Sequence, residues 1–594
     1  VRLFFVVNRM KKNIMSTRIK KQFKYLLALC ALLICTHLQA KVDVAFDGVE
    51  GRLLDNIKSY VQIANLNQDK DYRAFQIRFL FKRAEDEIRT ALEPFGYYNV
   101  EIKSQLDSTE SGWQARYSIA LNDPVRIARV NWKLKGDAED DKVFRSVLSQ
   151  SPLKHGAVFE HAPYEQIKTQ LLSLAAQRGY RDAEWEKANV RVDIETNTAV
   201  IDAIFSSGER YHFGDIEFNS EYISEDLLQR YPRFEKSEAF NTSSLSDLQV
   251  NLSESGYFET VQVNALWDQA AKSQVPIQVD TTPNQRSHYR FGLGYGTDTG
   301  ARISAGFDRR WINPRGHLFK SQLQLSQFES RLTALYQIPG PRPQTDSYQF
   351  RSQLADKTTD SQESQLIKIG AAEIRAFNHW QYDIGAFWLN EDFEIGEQRG
   401  NAQLLVPTVE WRFLSADERI NINRGWRANF SIQTASRDLL SEADLIRGRF
   451  ELKSVVPLLD SWRLLARAEV GAMYTDSFEA IPPSLRFFAG GDQSVRGYAY
   501  EQLGPEDGSG DVIGGRYLAV ASAEIDYRFA ENWRIAAFTD IGNAMLEPNQ
   551  PLKQSVGIGF RWISPIGSVR IDFAQAIDEP NKPWRIHLTI GPDL

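Results

Sequence analysis

Few residues in this chain combine a type and a spacing that could make or break a covalent bond. Beyond the first forty residues the histidines are scattered from His155 to His587 without metal-ligand spacing, and His155 and His161 read as solvated. No Gly-x-Ser-x-Gly elbow presents a nucleophile, and no glycine-rich loop could cradle a phosphate. The pattern argues against an enzyme and calls for no cofactor and no metal. What remains is charge. Arg496 stands in the run Gly490-Gly-Asp-Gln-Ser-Val495-Arg496-Gly497-Tyr498, Asp540 in Phe538-Thr-Asp540-Ile-Gly542, and Glu524 one alternating run earlier. The chemistry open to such groups is charge-assisted hydrogen bonding, which positions rather than reacts. Taken singly, Arg496 reads as a solvated loop residue and the two acids as ordinary wall residues.

The elements that would position them follow from periodicity. From about Ser287 onward, helical spacing disappears and runs of roughly ten residues alternate apolar with polar or small side chains, the pattern of strands crossing a membrane as a barrel. Turn signals separate the runs, among them Asp298-Thr-Gly300, Asn313-Pro-Arg-Gly316 and Ala530-Glu-Asn532. In the late runs Trp533, Ile535, Ala537, Thr539 and Ile541 take one parity, and Arg534, Ala536, Phe538, Asp540 and Gly542 the other. Likewise Tyr517, Ala519, Ala521, Ala523, Ile525 and Tyr527 alternate with Ser522, Glu524, Asp526 and Arg528, and Val556, Ile558, Phe560 and Trp562 with Gly557, Gly559 and Arg561. Charge is costly on a lipid face, so the charged parity faces a lumen. Aromatics flank many runs, as an interfacial girdle would. Counting from Tyr289–Tyr295 to Trp584–Ile590 gives about sixteen strands, an even number that returns both chain ends to one side. A soluble β-sandwich would instead need a polar outer parity. The eleventh run, Trp462–Tyr474, is followed by a long loop at about 475–515, which holds the Arg496 motif; loops above ~15 residues are usually functional.

Composition places the protein. The first forty residues hold eight Lys and Arg and no acid, then an apolar core over Tyr25–Cys35 and a cleavage-like Leu38-Gln39-Ala40. Eleven apolar residues are too few to span a bilayer as a helix, so 1–40 reads as an export signal peptide. Both cysteines, Cys30 and Cys35, fall inside it, which leaves no thiol for disulfides or metal. Without this segment the net charge of −7 becomes about −15, unfavourable for any nucleic-acid partner.

Residues 41–284 read as a repeat. Gly96-Tyr97, Gly179-Tyr180 and Gly256-Tyr257 recur at spacings of 83 and 77 residues, each after a helical pattern and before an alternating strand. Glycine permits the left-handed turn that ends a helix, and the aromatic packs back upon it. Short strands at Val42–Phe46, Ile127–Trp132 and Phe213–Phe218 open each unit. Three matches in register at a near-constant period make a repeat.

The repeat resembles the POTRA domain of periplasmic arms, with boundaries near 41–122, 123–208 and 209–284, followed by a barrel at 285–594. The three barrel motifs, the third being Phe560-Arg-Trp-Ile-Ser-Pro565-Ile-Gly567, resemble the signature shared by BamA, TamA and two-partner-secretion transporters. The expected fold is thus three α+β POTRA repeats followed by an all-β antiparallel transmembrane barrel. The resemblance implies that the long loop folds into the lumen, where Arg496 meets Asp540 and Glu524. A planar guanidinium suits such a site better than a lysine. Three modules, where BamA-like chains carry five and two-partner transporters two, resemble the TamA type, the translocation and assembly module subunit. That type implies a TamB-type inner-membrane-anchored partner, clients that are autotransporters and other outer-membrane barrels, and contact with membrane lipid.

Gly292, Gly294 and Gly296 share the lumen face of the first strand, and Gly591 and Pro592 close the last. Glycine gives no cross-strand packing and proline no ladder donor, so the first–last seam is expected to be the weakest, or the glycines simply ease curvature. The rival functions are a passive outer-membrane channel and a two-partner-secretion transporter.

Overall fold

The computed structural model describes residues 41–66, 72–109, 112–418, 421–564 and 567–591. The expected signal peptide with Cys30 and Cys35, Pro565 of the third barrel motif and Pro592 of the seam lie outside the described residues. Two compact units divide the chain, the first running to Tyr211 and taking in Ala239–Thr242, the second holding the remainder.

The first unit contains two α+β layers of one design. In the first layer Gly112–Ala120 is the central strand, parallel to Lys41–Asp47 and antiparallel to Glu101–Thr109. Helices Gly51–Tyr60 and Ala74–Leu92 bury Ile57, Ile77, Ala84 and Ile88 against Ala115 and Tyr117 of that strand. In the second layer Thr198–Ser206 is central between Arg126–Lys135 and Glu184–Asp193, under helices Lys142–Ser149 and His161–Gln177. The Gly-Tyr pairs work as the sequence reading anticipates. Gly96 and Gly179 have φ of +90° and +83°, the left-handed region that favours glycine. Tyr180 then turns edge-on to Phe144 at 5.3 Å. Asp141 caps the helix Lys142–Ser149 through the Val143 N–H (3.0 Å) and receives bonds from Arg178 and Tyr180. Burial works to raise its carboxyl, but these donors outweigh it and hold the group below its usual range. His161 departs from the solvated reading: it is half-buried and meets the Tyr98 hydroxyl at 2.5 Å.

The second unit opens with a third layer of the same sheet order, Gln274–Pro283 lying between His212–Asn219 and Phe258–Ala265. Gly256 again takes a left-handed φ, +77°. Here the aromatic reaches further: the buried Tyr257 donates its phenol to the Gly316 carbonyl at 2.7 Å. Arg230 donates to the Gly340 carbonyl at 2.8 Å, and the Ser224 N–H to the Pro314 carbonyl at 2.8 Å. All three acceptors lie in the turns after the second and fourth barrel strands, on the periplasmic side.

The barrel is one sheet of sixteen strands, from Ser287–Gly296 to Trp584–Gly591, paired in chain order. Its strands run from 8 to 19 residues, so the sequence-based length of roughly ten holds only for some of them. Gln398–Ala416, for instance, pairs with Trp380–Ile395 along that whole strand, past the length that hydrocarbon requires. The parity agrees with the sequence. Ile558 is 62% exposed and Ile535 48%, while Arg534, Phe538, Asp540 and Arg561 are buried. Aromatic pairs such as the stacked Phe413–Trp426 (centroids 3.9 Å) and the edge-on Trp380–Phe413 (4.8 Å) gather beside the periplasmic turns, where a girdle belongs. If the outward parity meets lipid, Ile558→Arg should cost about 2–4 kcal/mol in folding titrations into phospholipid vesicles. An unchanged midpoint would contradict the assignment.

Candidate functional site: the anchored lumen loop

The eleventh strand, Trp462–Thr475, ends where the long loop begins, and the twelfth, Tyr517–Ala530, resumes the wall. Between them the chain turns inward. Phe478, Ile481, Leu485, Phe487, Val495 and Tyr498 form an apolar cluster against lumen-facing Leu404, Val406, Leu518 and Val520. The loop carries internal pairing of its own, as Phe487 bridges Gly515 and Ala489 bridges Leu503. Arg486 ties its two limbs by donating to the carbonyls of Ile481 and Ile513, each at 2.8 Å.

The structure brings Arg496 together with both candidate acids. Its Nε and Nη2 grip Asp540 at 2.8 and 2.9 Å, and its backbone N–H donates to the same carboxylate at 3.0 Å. Nη1 donates to Glu524 at 2.8 Å and to Asp572 at 3.2 Å. The guanidinium lies over the Phe538 ring, 3.3 Å from its centroid, so the aromatic of the barrel motif is a contact of the loop. Register explains the convergence. Ser522 pairs with Asp540 and Glu524 with Phe538, which stacks these lumen-facing residues side by side.

Two members of the network, Asp572 and Arg561, were not singled out from the sequence as partners. Arg561 donates to Glu524 at 2.8 Å and to Asp572 at 2.5 Å, so three acids from the twelfth, thirteenth and fifteenth strands hold two arginines. The inward parity of Arg561 was legible, but its adjacency to Asp572 depends on the pairing register of the strands that carry them. Glycine makes the room. A Cβ at Gly557 would fall 2.3 Å from the Phe538 ring, and one at Gly559 2.0 Å from Asp572. Gly542 likewise admits the twelfth strand, a Cβ there meeting the Ala519 carbonyl at 2.7 Å. Gly497 combines a left-handed φ of +94° with a close approach to the backbone of Ala576 at 3.1 Å. Val495 and Tyr498 are buried on either side, and the Tyr498 hydroxyl donates to the Gln554 carbonyl at 3.3 Å. Gly567 opens the fifteenth strand, which carries Asp572.

The seam residues lie elsewhere in the barrel. Gly292, Gly294 and Gly296 alternate with Tyr289, Phe291, Leu293 and Tyr295, whose exposures of 55–86% mark the outer face. Gly591 ends the last strand. Among the described residues no backbone ladder pairs the first strand with the last. They approach at the extracellular end, where the Leu588 N–H donates to the Thr297 hydroxyl at 3.1 Å.

A cluster the sequence did not reveal sits at that end. Asp298, Asp492 and His587 bring possible ligand atoms within 4.8 Å of one another. The Gly497 N–H donates to His587 Nε2 at 2.8 Å, which leaves the proton on Nδ1, bonded to Asp492. Both ring nitrogens are thereby committed to hydrogen bonds rather than to a cation. Burial, reinforced by the neighbouring Asp492 charge, pushes the Asp298 carboxyl well up from its ordinary range.

A sixteen-stranded transmembrane barrel with an ion-paired loop in its lumen and α+β layers before it defines a class, the outer-membrane barrels with periplasmic arms. The chain belongs to the Omp85 superfamily: the family model described as the Omp85 superfamily domain matches residues 288–593. A second, described as POTRA domain TamA domain 1, matches residues 43–121. The barrel lies in the outer membrane and the N-terminal POTRA domain in the periplasm. Outer membrane protein assembly factor BamA of Nitratidesulfovibrio vulgaris is 21% identical over 507 residues, covering 82% of this chain and 64% of the relative. BamA of Neisseria meningitidis serogroup B is 21% identical over 550 residues, covering 81% and 68%. The chain therefore spans a little under two thirds of the first relative's length. The crystal structure of BamA from Haemophilus ducreyi lacking POTRA domains 1–3 shares the fold, with a TM-score of 0.64 at 18% identity over 78% of this chain and 98% of that one.

Arg496→Ala should leave Asp540 and Glu524 short of a buried partner and cost about 3–5 kcal/mol, read as a lower temperature for loss of the folded band in heat-modifiability gels. Arg496→Lys should fall between, since one ammonium cannot grip Asp540 with two parallel bonds. Gly557→Ala should cost about 1–3 kcal/mol by displacing the Phe538 ring and pressing on the Phe573 carbonyl, and should lose only the ring's share of that effect in a Phe538→Ala background.

Proposed function

We propose that this protein is an outer-membrane assembly and translocation factor that inserts or secretes client proteins through its first–last strand seam. The observation that carries the reading is the seam itself, which no backbone ladder pairs among the described residues. Each terminal strand presents N–H and C=O groups that a barrel would ordinarily pair, and such an edge templates an incoming strand. The glycines on the lumen face of the first strand weaken its hold on any neighbour, so exchange for a client strand is energetically near balance. In this reading the protein makes and breaks hydrogen bonds and no covalent ones.

The finer reading is that of the TamA type. It is supported by the match of residues 43–121 to a TamA POTRA model and by three α+β layers of one sheet order ahead of the barrel. The partner would then be a TamB-type inner-membrane-anchored periplasmic protein, met on exposed strand edges of the periplasmic layers. The clients would be autotransporters and other outer-membrane barrels, released laterally into lipid. The relatives' role as outer membrane protein assembly factors favours the same class.

A disulfide engineered between Ser287–Gly296 and Trp584–Gly591 should abolish assembly of an autotransporter client while leaving the barrel folded, and reduction should restore it. Full client assembly by the locked protein overturns the proposal. A passive channel predicts a large, steady single-channel conductance, whereas the apolar cluster of the lumen loop predicts small or transient openings.

A further inference from the structure

We infer that Asp492 is the clasp of the seam, joining the first and last strands through the lumen loop so that loop position and seam opening are one equilibrium. The inference rests on the lateral-opening reading above for its purpose, but on separate residues for its evidence. Its carboxylate accepts the Thr297 hydroxyl at 2.8 and 3.0 Å, just beyond the first strand. The same carboxylate accepts the Nδ1 proton of His587, which lies within the last strand. The Asp492 N–H donates to Asp298 at 2.5 Å, and Thr297 completes the circuit by accepting the Leu588 N–H at 3.1 Å. Three segments far apart in sequence, 297–298, 492 and 587–588, thus meet where no backbone ladder does so among the described residues.

The clasp is also wired to the arginine anchor. His587 Nε2 accepts the Gly497 N–H at 2.8 Å, and Gly497 follows Arg496, whose backbone N–H and guanidinium are both fixed on Asp540. The loop cannot move away from Asp540 without drawing Gly497 from His587, and the imidazole is what orients its proton toward Asp492. Space is conserved around the contact: a Cβ at Gly491 would lie 2.5 Å from the Asp298 carboxylate. Each bond is between buried or half-buried groups, so an unmade one leaves a polar atom with poor access to water. Asp492 is therefore a positioning residue, holding closed an edge that the sheet leaves open.

The test is hydrogen–deuterium exchange of the full chain in phospholipid nanodiscs, without client. Thr297→Val removes the bridging hydroxyl at nearly constant shape, and should speed exchange in 287–296 and 584–591 by about tenfold, the loss of one or two hydrogen bonds to a carboxylate. Exchange across Tyr517–Met545, where a continuous ladder joins the strands that hold Arg496, should rise by much less than at the seam. Thr297→Ser restores a hydroxyl and should restore slow exchange, which a general loss of packing would not. Asp492→Asn should act like Thr297→Val and supplies the test if that variant does not assemble, because it removes the charge that strengthens both bonds and the second oxygen that accepts from Thr297. Wild-type exchange at both strands in Thr297→Val and Asp492→Asn overturns the clasp, as does a Thr297→Ser protein that exchanges as fast as Thr297→Val. If exchange rises as expected while client assembly is untouched by opening or locking the seam, the clasp stands and the lateral-passage reading fails.

Discussion

A buried, ion-paired guanidinium organises the lumen of this barrel. Desolvating Arg496 is tolerable only because Asp540 takes it with two parallel bonds, Glu524 and Asp572 complete its charge, and Phe538 offers a π face beneath it. Those partners come from the twelfth, thirteenth and fifteenth strands, so the loop is fixed to the wall as a whole rather than to one strand. The demand runs backward into sequence. Gly557 and Gly559 have no side chain because Phe538 and the Arg561–Asp572 pair fill the space one would need.

Once the loop is fixed, its apolar residues have a defined place to pack. Phe487, Leu485 and Val495 close against Leu404, Val406 and Val520, turning lumen-facing leucines and valines, which would be misplaced in a watery pore, into core. The same anchorage delivers Asp492 and Gly497 to the seam. An edge that sheet hydrogen bonding leaves open is thereby managed by side chains, whose bonds are few and separable, and not by a ladder whose bonds break together. At the other end of the barrel the third α+β layer is held to the turns at Pro314, Gly316 and Gly340 by single hydrogen bonds to backbone carbonyls. Burial pushes the Tyr257 phenol well up from its ordinary range, which keeps it a donor.

Much of this was legible in one dimension. The two-residue period put Asp540, Glu524 and Arg561 on the inner wall, because charge on the opposite parity would sit in hydrocarbon. The Gly-Tyr recurrence located three helix ends, because only a left-handed residue allows that turn, and Gly96, Gly179 and Gly256 all adopt it. Strand length was less legible: the ladder of Gln398–Ala416 continues beyond the lipid band, where alternation weakens as both faces meet polar surroundings.

By itself, then, the sequence determined the class of each element and the face each side chain takes, since both follow from local backbone periodicity and the solvent on either side. Which faces meet was decided by the tertiary structure alone. Asp572 joins Arg496 across a separation of 76 residues, and Asp492 meets His587 across 95 and Asp298 across 194. Parity places wall residues such as Asp540 on the inner face, but which of them a loop residue meets depends on the accumulated register of every intervening strand pair. That sum is set by how sixteen strands close upon one loop, and no local pattern encodes it.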